Sequence, residues 1–112
     1  MKETLLIVVL LFSVTAWSQQ QTPAGDAAKG KATFLRVGCY ECHGTAGQGG
    51  TGPHLVPNPR TVDSLIAFVR KPTGMPAYSP KVLSDADIAD IRAYLASVPA
   101  PPPVAGIPLL NQ

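Results

Sequence analysis

Apolar residues recur at helical spacing in three segments of the chain, separated by two stretches rich in glycine and proline. Ala27 to Val37 holds good helix formers, with Ala28, Phe34 and Leu35 predicted as its apolar stripe, Asp26 as its N-cap and Gly38 as its stop. Val62, Leu65, Ile66 and Val69 form a second helical stripe between Thr61, which caps it, and Pro72, which ends it. Ser84 and the acidic Asp85 and Asp87 open a third helix, predicted to bury Ile88, Ile91, Tyr94, Leu95 and Val98. No segment carries a clear strand signal. The expected fold class is therefore all-α, with three or so short helices. The connecting stretches, Gly44 to Arg60 and Pro72 to Leu83, are 17 and 12 residues long. Irregular segments of that length are uncommon in a compact domain unless they wrap something.

Two segments fall outside this helical pattern. Leu5 to Phe12 is an unbroken apolar run of eight, preceded by Lys2 and followed by Ala16-Trp17-Ser18. That arrangement reads as a secretory signal over residues 1–18, cut near Ser18/Gln19, and predicts a periplasmic or secreted protein. The run falls short of the ~20 apolar residues that span a bilayer. No cysteine follows it, which argues against a lipid anchor, while Glu3 keeps an uncleaved membrane anchor as the alternative. Residues 19–24 read as a polar leader, 25–98 as the folded domain and 99–112 as a Pro-rich tail expected in polyproline II. In that tail Ile107, Leu109 and Leu110 have nothing obvious to bury them.

Composition narrows the function. The 112 residues suit one domain, and glycine and proline together make 22 of them, so loop must be abundant. A formal net charge of +2, without a Lys/Arg cluster, gives no footprint for nucleic acid. Two cysteines cannot build a disulfide scaffold. With 6% aromatic residues the chain has little apolar area of its own, so a large apolar group is expected between the helices.

Cys39-Tyr40-Glu41-Cys42-His43 identifies that group, because C-x-x-C-H is the attachment motif of a c-type haem. Two thiols three residues apart add across the two vinyl groups on one porphyrin edge. The histidine that follows stands under the iron with a neutral ring nitrogen as ligand. Three other uses of these residues compete. A dithiol redox site expects a βαβ context, which this pattern lacks. Half a zinc site with His43 and His54 would strain a tetrahedral shell, because Cys42 and His43 are adjacent. A plain disulfide is compatible with an oxidising compartment. Export, loop length and a thin core together favour one covalent haem c, with Cys39 and Cys42 as thioether links and His43 as an iron ligand. Met75 is the only methionine beyond the signal and lies in a Gly/Pro loop before Pro76, which suits a second ligand to a fixed metal. His54 is its rival and reads as a solvated surface histidine.

These residues resemble the class I cytochrome c family over most of Gly25 to Val98. Gly30 and Phe34 look like the glycine and aromatic of that family's N-terminal helix, and Tyr94 and Leu95 like the answering positions of its C-terminal helix. Gly52-Pro53-His54-Leu55 is similar to its Gly-Pro-x-Leu. The resemblance implies that the Pro53 carbonyl accepts a hydrogen bond from the ligand histidine and that Leu55 packs on the haem. Gly74-Met75-Pro76 resembles the segment that brings the sixth ligand. Only 31 residues separate His43 from Met75, so this is a compact version.

The expected function is single-electron transfer by a non-enzymatic carrier whose partners are a redox donor and acceptor. It would run as a monomer, or as the cytochrome subunit of a larger oxidoreductase complex. A sensor or enzyme with an open sixth position is the remaining alternative. Arg70, Lys71 and Lys81 flank the Met75 loop and read as a solvated basic surface for weak steering.

Overall fold

A computed structural model describes residues 24–58 and 60–111, so the expected signal and nearly all of the polar leader lie outside the described residues. The described chain forms four α-helices: α1 (Ala27–Arg36), α2 (Cys39–His43), α3 (Val62–Arg70) and α4 (Asp85–Ser97). Each of the three longer helices starts at a side-chain cap the sequence already displays. The Asp26 carboxylate accepts from the Ala28 and Lys29 amides at 2.9 and 3.0 Å. Thr61 Oγ1 accepts from Ser64 at 3.2 Å, and Ser84 and Asp87 form a reciprocal capping box. No described helix is long and apolar enough to cross a membrane.

The domain closes where α1 crosses α4. A methyl group on Gly30 would stand 1.9 Å from the Asp90 carbonyl oxygen, so the two backbones approach as only glycine permits. Above that contact the Phe34 and Tyr94 rings meet edge to face, centroids 5.7 Å apart. The core comprises Phe34, Val56, Leu83, Ile88, Ile91, Tyr94 and Leu95, with Leu65, Ile66 and Val69 of α3 packed against it. Gly30→Ala should therefore force the helices apart and destabilise the protein by about 2–3 kcal/mol, as overpacking does. Urea unfolding followed by circular dichroism checks this, and an unchanged midpoint would remove the close crossing from the account.

Three expectations are corrected. The stripe of α1 is not Ala28–Phe34–Leu35: Ala28 is exposed and Leu35 is 37% exposed, while Gly30, Thr33 and Phe34 are buried. Because α4 crosses at Gly30, the inward face is fixed there, and Leu35 is turned about 100° away from Phe34. Val98 is only half-buried, as the residue where α4 ends. The tail is extended only as far as Pro103; Val104–Gly106 and Pro108–Leu110 are 3-10 turns. The Asn111 side-chain amide gathers them, donating to the carbonyls of Val104, Ala105 and Ile107 at 3.0–3.1 Å.

Candidate functional site

A cavity of about 560 Å³ opens into the middle of the core. Five of the core side chains, Phe34, Leu83, Ile88, Ile91 and Leu95, form part of its wall. The volume falls in the range of cofactor sites, roughly 300–1,000 Å³. Cys39, Cys42, His43, Pro53, Leu55 and Met75, drawn from three separate segments of the chain, all line it.

The CxxCH segment reaches the cavity through a helix break. Gly38 takes a left-handed conformation, φ 84°, which ends the path of α1 and lets the chain re-enter a helix at once. In α2 the residues Cys39 and His43 are one turn apart and share a side. The glycine-rich loop then folds back onto that helix: Gly49 N–H donates to His43 O at 2.8 Å and Gly52 N–H to Cys42 O at 2.9 Å. This return carries Pro53 to the imidazole, where His43 Nδ1 donates to Pro53 O at 2.8 Å. A carbonyl can only accept, so Nδ1 carries a proton, and Nε2 is the nitrogen left without a protein partner among the described residues. A methyl group on Gly52 would lie 3.0 Å from His43 Cε1, so the loop also confines the ring sterically.

The thiols are unpaired, Cys39 half-buried and Cys42 exposed. Burial pushes the Cys39 thiol up to about 11. A dithiol redox centre needs the reverse, a thiol whose pKa is lowered towards neutrality. Among the described residues no group of three or more His, Cys, Asp and Glu side chains converges as a metal shell, which leaves a structural zinc site without its members.

Met75 is half-buried in the segment between α3 and α4, which returns to the body of the domain at Tyr78. His54 is exposed and lies on the cavity's edge, whereas Tyr40, 38% exposed, lies outside the lining. Lys71 and Lys81 are exposed, as the solvated surface predicts. Arg70 is not: its side chain is 18% exposed and paired with Asp85. Arg60 and Phe68, which the sequence pattern does not single out, also line the cavity, and the guanidinium sits 4.6 Å above the ring. Phe68 falls three residues after Leu65, a helical neighbour that periodicity alone includes; no pattern marks Arg60.

Residues 25–95 match the family described as cytochrome c oxidase, cbb3-type, subunit III. No curated protein and no solved structure matches the chain.

Proposed function

This chain belongs to the cbb3-type cytochrome c oxidase subunit III family of cytochrome c domains, and we propose that it is a single-electron carrier built on one haem c. The family implies covalently bound haem c with iron, an electron-transfer role and redox partners. One CxxCH and two cysteines support a single haem. Cys39 and Cys42 would hold it through thioethers, with His43 and Met75 as axial ligands.

The carrying observation is the orientation of the His43 ring. Its Nδ1–H is committed to Pro53 O, which leaves Nε2 as the ring nitrogen free to face an iron. The rest of the site fits the same group, with two thiols and a thioether in a cavity whose exposed wall is mainly apolar. When bound, haem supplies an iron that cycles between ferrous and ferric. The protein's part is to hold that iron without rearrangement and keep water off it. Leu55, Leu83, Ile88 and Leu95 exclude water, and the soft Met75 sulfur favours the ferrous state, both of which raise the potential. Were His43 and Met75 both to hold the iron, no position on it would remain for a substrate, which supports a carrier rather than an enzyme. The apolar run at residues 5–12 supports export to the periplasm, with retention of that segment as an anchor the alternative.

Optical spectra of the purified protein, oxidised and reduced, with and without carbon monoxide, test this. One c-type haem per chain and a reduced spectrum indifferent to carbon monoxide are expected. A spectrum that shifts with carbon monoxide would make the sixth position open and favour a sensor or enzyme. One observation favours a second arrangement, a subunit of a redox complex: Leu109 and Leu110 in the tail are 80% and 62% exposed. Salt-resistant association with a larger protein, lost on deleting residues 99–112, would establish it.

A further inference from the structure

The segment bearing Met75 is held only at its base. Among the described residues no hydrogen bond, from backbone or side chain, is made by Pro72 to Ala77. Three bonds instead converge on Tyr78, three residues after Met75. Its N–H donates to Val69 O at 3.1 Å, at the end of α3. Its carbonyl accepts from Arg70 Nη1 at 2.9 Å. Its hydroxyl donates to Val37 O at 2.9 Å, two residues before Cys39. The other Arg70 nitrogen, Nη2, pairs with Asp85 at the start of α4.

Arg70 thus spans α3, the Met75 segment and α4 with one planar group. Lysine, with a single ammonium on a flexible stem, cannot reproduce that fork. Two of the three bonds at Tyr78 depend on a side chain: one on the Arg70 guanidinium, the other on the Tyr78 hydroxyl.

We propose that Arg70 is a positioning residue for Met75, acting through Tyr78 to keep the methionine segment closed against the CxxCH segment. The proposal rests on Met75 being the sixth ligand. The group acted on is the thioether: with Tyr78 released, Met75 leaves the iron more often, and an outside ligand can enter. Arg70 does not touch the iron itself.

Imidazole binding to the ferric holoprotein reads that opening directly, because imidazole enters only when Met75 has left. Arg70→Met should strengthen apparent imidazole affinity about tenfold, the worth of one well-made hydrogen bond to a charged donor. The sulfur-to-iron charge-transfer band should weaken in parallel. Arg70→Lys should recover part of the loss, and Lys71→Met, whose side chain is exposed, should change neither readout. If Arg70→Met does not fold, Arg70→Lys decides by the same measurements, since it keeps the charge and stem but not the fork that reaches the Tyr78 carbonyl and Asp85 together. An arginine that is merely structural would lower the urea midpoint and leave imidazole affinity unchanged, and that result overturns the proposal. A wild-type protein lacking the charge-transfer band overturns the Met75 assignment, and the positioning role falls with it. Unchanged variants in a protein that shows the band sink the positioning role alone.

Discussion

Replacing Cys39 and Cys42 together by alanine yields a protein from which acidified organic solvent extracts all haem, whereas the wild-type protein keeps its haem in the protein phase. The thioethers are the only covalent links the chain can offer, and both come from α2. The apoprotein should also be largely unfolded. Five of seven core residues face the cavity, so emptying it leaves the core without its filling. With about 560 Å³ left unfilled, those side chains lose their packing partners and meet water instead. A small domain has only about 5–15 kcal/mol of stability in total. Circular dichroism of the variant after haem extraction reads this directly. Full retention of haem by the double variant would end the assignment of these two residues.

Met75→Ala should abolish the sulfur-to-iron charge-transfer band, open the ferrous protein to carbon monoxide and lower the midpoint potential. A fall on the order of 0.1 V is expected, a fraction of the ~0.8 V over which axial ligands set haem potentials. With Met75 as the sixth ligand, its removal would take away the soft sulfur that favours ferrous iron and would admit water to the position that side chain covers. His54→Ala should leave band, ligand binding and potential unchanged, because its ring is exposed at the cavity edge. The opposite pattern, in which His54→Ala shifts the spectrum and Met75→Ala does not, would move the sixth ligand to His54.

What could be read from the chain beforehand divides by range of interaction. The caps at Asp26, Thr61 and Ser84, the stop at Gly38 and the single-turn spacing of Cys39 and His43 involve neighbours within four residues, and each stands where the pattern places it. The proximity of Pro53 to His43 spans ten residues and no local rule reaches it; only the family resemblance implies such a contact, and the two groups lie 2.8 Å apart. The face of α1 departs from its hydropathy pattern, which counts Ala28 and Leu35 as apolar. What orients the helix is a residue with no side chain, Gly30, answered by a carbonyl far along the chain. Arg70 departs from the solvated surface its sequence neighbours suggest for a similar reason. Its partners, the Tyr78 carbonyl and the Asp85 carboxylate, sit eight and fifteen residues on, beyond any helical spacing. The 3-10 turns of the tail depend on one amide, Asn111, reaching back four to seven residues, and proline content alone suggested only extension.

The crossing at Gly30 and Asp90 has a consequence for the order of events in synthesis. These residues are about 60 positions apart, so the domain shuts by joining its two ends, a step that must bear the entropy of a long loop. The attachment motif has no such requirement, because residues 39–43 are contiguous and form within one turn. A chain emerging N-terminus first presents both thiols and the histidine well before α4 exists. Were the proposed links at Cys39 and Cys42 made on that open strand, the later meeting of Met75, Leu83 and α4 with the porphyrin would be an intramolecular event at high effective concentration. The cofactor would then act as a nucleus around which the remaining half of the polypeptide condenses, and it would not need to be threaded into a finished pocket.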